Sequence, residues 1–284
     1  MERGKRMEKT ISVLGGDRRM ALLARSLAAD GYTVQTWGLR AFGAEDAPLE
    51  EAVRAERIVL PVPFARGKNL NCTETALPLC ALFTLLRPEQ EIFAGGVKAA
   101  DREAAAEHGL TLTDYLAREE LAVCNGVPTA EGAIEVAMAE TEVTLCGTPC
   151  LVVGFGRIGK LLAHRLRGLG AEVSVSARRM DDLAWIDAFG YRPLHTNRLA
   201  GKLGSFRVVF NTVPHMVLTE ALLRELRSDC VLIELASGAG FDRAAAEALG
   251  LKCVAAGGLP GKIAPETAAA AIRQTLEKLW EEEA

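Results

Sequence analysis

The chain has 284 residues, of which 49% are hydrophobic and 25% charged, a balance typical of globular proteins large enough to form two cores. Its formal net charge of −4, from 33 basic and 37 acidic residues, argues against a nucleic-acid partner, which a basic surface would attract. The longest apolar stretch, residues 77–86, is too short to cross a bilayer, so we expect no membrane partner either.

The cysteines and histidines predict neither disulfides nor a metal site. The seven cysteines are odd in number and irregularly spaced, which argues against a disulfide framework or a C-x-x-C metal knuckle. The four histidines have no cysteine or carboxylate at ligand spacing. Free thiols suit a reducing compartment, and residues 1–9 are charged without an apolar core. We therefore expect a flexible tail over 1–9, no signal peptide and a cytoplasmic protein.

The first half of the chain opens with a strand, a glycine turn and a helix. A strand is predicted over Thr10–Leu14, followed by the turn Gly15-Gly16-Asp17-Arg18-Arg19 and a helical pattern of apolar residues. Further strands are predicted over Arg57–Leu60 and Ile92–Ala94. This order predicts a modified doubly wound domain over 10–126. Because the turn lacks a third glycine, it favours a small anion over a second dinucleotide.

Residues 125–132, with the sequence NGVPTAEG, are predicted to join two domains. Pro128 suits the first turn of a helix, which would carry the chain into the second domain. Thr129 and Glu131 then have two interpretations: they face a cleft between the domains, or they cap their own helix.

A strand, a glycine turn, a helix and a second strand follow one another within residues 150–179. In such a unit Gly154 allows a tight turn, Gly156 lets the backbone approach a pyrophosphate, and Gly159 lets the helix pack closely on the strand. The pyrophosphate would lie on the amides that open the helix, around Arg157 and Ile158. The spacing predicts a dinucleotide-binding Rossmann unit.

The end of the second strand bears on the choice between NAD and NADP. NAD sites usually have a carboxylate there for the ribose hydroxyls, whereas the 2′-phosphate of NADP needs basic or hydroxyl groups. This chain has Ser176, Arg178 and Arg179, and its first acid is Asp181. The pattern favours NADP, with the arginine fork available to the phosphate. The alternative is that both arginines are ordinary surface charges.

Three later strands, predicted over Arg207–Phe210, Cys230–Leu235 and Val254–Ala256, end at the same sheet edge as the glycine turn. Their ends supply further candidates for the nicotinamide side of the cofactor, namely Asn211, Thr212, Pro214 and Ala236. His215 follows the first of these ends, but we do not expect it to be the catalytic acid or base, and no catalytic residue is identified. A final helix begins at Pro265 and is assigned with the rest of 127–284 to the NADP-binding domain.

These elements predict an α/β protein with two doubly wound Rossmann-like domains and an interdomain cleft. The sequence also resembles the family of the A subunit of bacterial dipicolinate synthase. The resemblance covers nearly the whole chain after the tail, and its most specific segments are NGVPTAEG at 125–132 and GLPGKIAP at 258–265. The chain departs from the family at 238–242, where a longer Pro-Gly-Gly run is usual, and at Ala270, near a usual glycine.

The resemblance implies an enzyme of spore formation that oxidises dihydrodipicolinate, formed from 4-hydroxy-tetrahydrodipicolinate, to dipicolinate with NADP. It also implies a partner, the B subunit of dipicolinate synthase, and we expect a homo-oligomer. The substrate is a small cyclic dicarboxylate. Arg19 is the candidate for binding one carboxylate of the substrate. Thr129 and the amides around Gly258 and Gly261 are the candidates for the other. Glu131 is a further candidate in the substrate site, with the alternative role of holding Arg19 in position.

Two other functions stay open at this stage. One is a non-catalytic scaffold that binds nucleotide and serves a regulatory role in the complex. The other is a 2-hydroxyacid dehydrogenase, which would need a catalytic histidine paired with a carboxylate, and no such pair is apparent in the sequence.

Overall fold

A computed structural model of the chain describes residues 9–282, which form two compact units. Of the described residues, 9–124 and 264–282 form the first unit, and Asn125–Ile263 form the second. Each is built on a parallel sheet, which confirms the predicted α/β class. The tail predicted over 1–9 lies outside the described residues, except for Lys9, which pairs with Glu91.

The first unit contains a five-stranded parallel sheet of order β2-β1-β3-β6-β7, with a small antiparallel hairpin, β4-β5, beside it. Strand β1 is buried along its whole length, as expected for a parallel strand covered on both faces. The strands are β1 (Ile11–Leu14), β2 (Val34–Trp37), β3 (Arg57–Val59), β4 (Ala65–Arg66), β5 (Asn69–Leu70), β6 (Glu91–Ala94) and β7 (Leu112–Asp114). The helices are α1 (Arg18–Ala29), α2 (Leu49–Ala52), α3 (Leu79–Leu85) and α4 (Ala99–Ala106).

The second unit contains a six-stranded parallel sheet of order β10-β9-β8-β11-β12-β13. The order reverses direction between β8 and β11, so the crevice at that point is where an open α/β sheet binds its ligand. The strands are β8 (Pro149–Val153), β9 (Glu172–Ala177), β10 (Arg192–His195), β11 (Val208–Asn211), β12 (Val231–Glu234) and β13 (Lys252–Ala255). The helices after a long α5 (Glu119–Glu140) are α6 (Arg157–Gly168), α7 (Met180–Ala188), α8 (Glu220–Leu223), α9 (Arg243–Ala248) and α10 (Leu259–Ile263).

Helix α5 corrects the prediction that Pro128 opens a helix. The helix begins at Glu119, so Pro128 lies in its interior and the NGVPTAEG segment is helical throughout. Proline removes one backbone hydrogen bond from a helix, and such a helix persists only where other contacts stabilise it. Here Ala130, Ala133 and Ala137 are fully buried in the core of the second unit. The small side chains of this segment therefore serve close packing.

The final helix, α11 (Pro265–Glu282), corrects the predicted domain division. Its apolar face, which includes Ile272 and Leu276, packs in one core with β1 and α1 of the first unit. Trp280 anchors its end against Tyr32 and Phe93 in edge-to-face contacts. A helix that is last in sequence thus completes the unit that is first in sequence, which local periodicity does not reveal.

Over residues 9–282, no helix combines the length and the apolar character needed to cross a bilayer. All seven cysteines are free thiols. Burial raises the pKa of the Cys150 and Cys230 thiols to about 12, so both stay protonated and serve as small apolar core residues.

We predict that Leu276→Ala destabilises the first unit by about 2–5 kcal/mol, because it leaves a cavity in a fully buried site. Guanidinium unfolding would measure the loss, and hydrogen exchange would locate it in β1 and α1. Gln274→Ala, on the exposed face of the same helix, is the matched control. If Leu276→Ala increased exchange in β8 and β9 but not in β1, the assignment of α11 to the first unit would be contradicted.

Candidate functional site

The candidate site is a cavity of about 460 Å³ at the carboxyl edge of the second unit's sheet. Four strands end in its wall, which is formed by residues 154–156 after β8, 176–179 at the end of β9, 196–197 after β10 and 212–217 after β11. Asp182 completes the lining. The cavity therefore lies beside the point at which the strand order reverses, where the fold predicts a ligand.

The three glycines predicted as a nucleotide turn meet three different constraints. Gly154 has a φ of +102°, and a Cβ there would lie 2.5 Å from Thr212 Oγ1. A Cβ at Gly159 would collide with the carbonyl oxygen of Gly154. At Gly156, by contrast, an added Cβ would meet no atom within 4 Å. The fold itself thus requires two of the glycines, while the third leaves an open cradle at the start of α6.

The two arginines after β9 differ in their pairing. Arg179 donates Nε to Asp181 Oδ1 at 2.9 Å and also pairs with that carboxylate through Nη2. Hydrogen bonding to Arg179 lowers the pKa of Asp181, and the same pair raises the pKa of Arg179. Arg178 is exposed and makes no hydrogen bond or ion pair with any residue in 9–282. Arg178 is thus the arginine with an uncommitted guanidinium in the cavity wall.

The burial of Ser176 and the contribution of β10 to the cavity wall both differ from what the sequence predicts. Ser176 is fully buried, and its Oγ lies 3.5 Å from Thr196 Oγ1, so the hydroxyl faces its neighbour strand. Thr196 and Asn197 enter the cavity wall from β10, a strand that the sequence did not suggest. Pro193 lies within that strand, and proline argues against a strand unless it is at the sheet edge, where β10 is.

The wall formed by 212–217 is held from behind by Asn211 and Glu234. Asn211 is 1% exposed and donates Nδ2 to Val213 O at 2.8 Å and to Glu234 Oε1 at 2.6 Å. Thr212 Oγ1 donates to Val153 O at 2.9 Å, which ties the wall to β8. Asn211, predicted as a cofactor contact, is therefore turned away from the cavity. The sequence does not predict a role for Glu234, because no local motif distinguishes it from other acidic residues.

Of the remaining predicted cofactor contacts, Arg157, Ile158 and Ala236 lie outside the lining of the cavity. Arg157 opens α6 and Ile158 packs against the core of the unit. The Ala236 amide donates to Glu234 Oε1 at 3.1 Å. Pro214 and His215 do line the cavity, and His215 is exposed there on the same wall as Met216. Within the described part of the chain, no cluster of three or more histidine, cysteine or acidic side chains could hold a metal ion.

Arg19, the first substrate candidate, is largely committed to its own unit. Its Nε and Nη2 donate to the Asp17 carboxylate, and Nη2 also donates to Val62 O at 2.6 Å. Its Nη1 has no hydrogen-bond partner among residues 9–282. Asp17 also caps α1 by accepting from the Arg19 amide, so its carboxylate occupies the helix end where a small anion was expected.

Thr129 and Glu131 do not fit the predicted capping role, while their predicted position at a cleft between the domains stays a prediction. Both lie in the interior of α5, so neither caps a helix. Thr129 Oγ1 donates to Asn125 O at 2.7 Å, one turn back in the same helix. Glu131 Oε1 accepts from Arg165 Nε of α6 at 3.3 Å, and Arg19 is instead held by Asp17.

Gly258 and Gly261 flank the beginning of the short helix α10. Gly258 is exposed with a φ of +70°, and Gly261 lies within the helix. This helix packs on α5 at Gly132, where a Cβ would lie 2.9 Å from Ile263 and 3.1 Å from Leu259. Gly132 of the first segment and Leu259 and Ile263 of the second thus pack against each other within the second unit.

Comparison with known proteins identifies the family. The chain is 31% identical to the A subunit of dipicolinate synthase from Bacillus subtilis (strain 168), over 96% of each chain. The chain belongs to the family of dipicolinate synthase A subunits. The family model for the N-terminal domain of the dipicolinate synthase A subunit matches residues 10–116, and the model for the NAD-binding domain of D-isomer specific 2-hydroxyacid dehydrogenases matches residues 129–258. The chain is accordingly an NAD(P)-dependent oxidoreductase.

Solved structures agree with this membership. The A subunit of dipicolinate synthase from Bacillus halodurans superposes with a TM-score of 0.88 at 29% identity, covering 95% of this chain and 97% of that one. The A chain of the Bacillus subtilis enzyme gives a TM-score of 0.86 at 30% identity, with 97% of each chain covered. A Salmonella D-lactate dehydrogenase, at 14% identity and a TM-score of 0.68 with 97% of each chain covered, shows a shared fold alone.

The glycine turn gives a direct test of the candidate site. We predict that Gly156→Ala leaves the unfolding midpoint unchanged but weakens dinucleotide binding about tenfold or more, because the added methyl group enters only the open cradle. Gly159→Ala is expected to lower both stability and binding, since its Cβ collides with backbone. Calorimetric titration and thermal unfolding would measure the two effects.

Gly168→Ala, at the far end of α6 with no atom within 4 Å of its added Cβ, is the control for a glycine lost from this helix. Equal binding by the Gly156→Ala variant and the wild type would contradict the placement of a pyrophosphate at this turn.

Proposed function

We propose that the chain catalyses the NADP-dependent oxidation of dihydrodipicolinate to dipicolinate, together with a B subunit, in the cytoplasm of a spore-forming cell. The observation that carries the proposal is Arg178, which has no partner among residues 9–282 and lies in the wall of the cavity at the carboxyl edge of the sheet, in a chain of this family. The curated relative is named for the synthesis of dipicolinate, and its designation as one subunit of that synthase implies a partner.

The preference for NADP rests on the charges around the end of β9. A 2′-phosphate needs a cation that is not already neutralised, and Arg178 supplies one with a planar fork of donors. The nearest acids are not free to accept from the ribose hydroxyls of NAD. Asp181 accepts from Arg179, and Asp182 lies 4.0 Å from the same guanidinium. Ser176 would not contribute directly, because it is buried.

The same cavity would hold the adenosine end of the cofactor. Residues 212–217 share its wall with Arg178, so this segment, His215 included, would enclose the phosphoadenosine portion. The amides at the start of α6 would hold the pyrophosphate beside Gly156. The nicotinamide end would then point past β8 toward the ends of β12 and β13, near Ala236. His215 is therefore not proposed as the acid or base.

The proposed reaction makes modest demands on acid–base groups. The substrate ring loses a hydride from one ring carbon and a proton from another position, and the product is aromatic. When bound, the nicotinamide supplies the hydride acceptor, and water can take the proton. The protein has to orient the ring and pair its two carboxylates. Arg19 Nη1 is proposed for one carboxylate, and the amides near Gly258 and Gly261 for the other, where Thr129 would contribute only by exchanging its hydrogen bond to Asn125 O for one to the substrate.

A second candidate function is a nucleotide-binding scaffold that regulates or docks its partner subunit. This function is favoured by the surroundings of His215, which makes no hydrogen bond to a carboxylate in residues 9–282. The histidine–carboxylate pair that serves as acid and base in a 2-hydroxyacid dehydrogenase is therefore not formed at His215. A homo-oligomer is proposed with either function.

We predict that the purified chain forms NADPH when dihydrodipicolinate is generated from 4-hydroxy-tetrahydrodipicolinate in the assay. The increase in absorbance of NADPH measures the reaction, and chromatography identifies dipicolinate. The assay is run with and without the B subunit, and with the chain omitted to measure spontaneous oxidation. Absence of NADPH formation under both conditions, with cofactor binding retained, would favour the scaffold.

The choice of cofactor has a matched pair of variants. Arg178→Ala is expected to weaken NADP binding about 10- to 100-fold with NAD binding nearly unchanged, since only the 2′-phosphate loses a charged hydrogen-bond partner. Arg179→Ala should change NADP binding much less, because its guanidinium is already paired with Asp181. Titration of both cofactors into both variants measures this. An equal loss of NAD and NADP binding in Arg178→Ala would refute a phosphate contact.

A further inference from the structure

We propose that Glu234 is a positioning residue for the cofactor: its carboxylate holds the 212–217 wall in place and so sets the affinity for the phosphoadenosine end. The inference rests on the proposed NADP site. Glu234 does not line the cavity and would touch no part of the cofactor. Its effect passes through Asn211 and the loop 236–240, each of which contacts the wall.

The first connection runs between two strand ends. Asn211 and Glu234 are the last residues of β11 and β12 and are directly paired in register. The two hydrogens of Asn211 Nδ2 are divided between Glu234 Oε1 at 2.6 Å and Val213 O at 2.8 Å. Asn211 Oδ1 accepts from the Val213 amide at 3.3 Å. The carboxamide therefore fixes the first turn of the wall, and the carboxylate fixes the carboxamide.

The second connection runs through Gly240. Glu234 Oε2 accepts from the Gly240 amide at 2.9 Å, and the Gly240 carbonyl accepts from Val217 at 2.8 Å and from Leu218 at 3.1 Å. The wall is thus held at its far end by the same carboxylate, one peptide group away. Both ends of 212–217 depend on Glu234.

Close packing leaves this loop little freedom to adopt another arrangement. A Cβ at Gly240 would collide with Asn211 Nδ2, and a Cβ at Gly238 would lie 2.7 Å from Pro214 O. Both glycines thus lie directly behind the 212–217 wall.

The network requires an acceptor at every position that Glu234 fills. Its two oxygens accept from Asn211 Nδ2, the Ala236 amide and the Gly240 amide. A glutamine would have the same size but would direct an NH2 group at one of these donors. Two donors would then face each other, and at least one hydrogen bond would be lost from a site with limited access to water.

The test uses a half-cofactor so that it does not depend on catalysis. Adenosine 2′,5′-bisphosphate, which contains the 2′-phosphate but no nicotinamide, is titrated into the wild type and the Glu234→Gln variant by calorimetry. We expect about tenfold weaker binding in the variant. The KM for NADP should rise by a similar factor with kcat little changed, since the wall is remote from the reacting end.

Hydrogen exchange gives a readout that needs no ligand. The Val217 and Leu218 amides, which donate to Gly240 O, should exchange faster in Glu234→Gln than in the wild type. Glu225→Gln is the matched control, because Glu225 Oε2 also accepts from a backbone amide, that of Gly201 at 2.8 Å, away from the cavity. It should change neither the exchange nor the affinity.

Asn211→Ala and the double variant test the connection. If Glu234 acts through Asn211, the two substitutions should not be additive. The Asn211→Ala/Glu234→Gln double variant should then bind the bisphosphate with nearly the affinity of whichever single variant binds it less tightly. Unchanged affinity and unchanged exchange in folded Glu234→Gln would overturn the proposal, as would a loss of kcat with no change in KM. Failure of the wild type to bind the bisphosphate would overturn the NADP site, while exchange at Val217 would still decide whether Glu234 orders the wall.

Discussion

The contact between Gly159 and the carbonyl of Gly154 is the constraint on which the nucleotide-binding unit depends. A larger residue at 159 would force α6 away from the end of β8. Thr212 Oγ1 donates to Val153 O, directly before the glycine turn, so the end of β11 is fixed relative to the same point. Once these two contacts form, the amides at the start of α6 and the wall after β11 face one cavity. The geometry of the candidate cofactor site thus follows from the close approach of a helix to a strand.

Electrostatics then distinguishes residues that packing alone would leave equivalent. Arg178 and Arg179 are adjacent and both exposed, yet within residues 9–282 only Arg179 has a carboxylate partner. A paired guanidinium at the surface offers little to a phosphate, because its donors are occupied and its charge is largely cancelled at close range. An unpaired one retains both. The position of Asp181, two residues after Arg179, therefore determines which arginine can contribute to cofactor choice.

Local sequence predicted the elements whose causes are local. Most strands of the two sheets, and the glycine turn, follow from apolar runs and from the steric needs of Gly154 and Gly159, each within a few residues. Three features depend on distant residues and were missed. Helix α11 is amphipathic in the sequence, but only folding shows that its apolar face covers α1. Pro193 concealed β10, which the sheet edge tolerates. Glu234 acquires its role from Asn211, which is distant in sequence but adjacent in the sheet.

The residue type at a position in a family-specific segment can be restricted for two different reasons, packing volume or ligand chemistry. In 125–132 and 258–265, Gly132 meets Ile263 and Leu259 at distances that leave no room for a methyl group, and Pro128 lies inside a helix. Such positions are restricted by volume, whatever ligand the protein binds. Positions that bind a ligand are restricted by chemistry and need donors that no other residue occupies, and within residues 9–282 Arg178 and Arg19 Nη1 have such donors. Steric fit therefore explains why Gly132 is restricted, whereas polar groups with unoccupied donors are where differences in cofactor or substrate would arise.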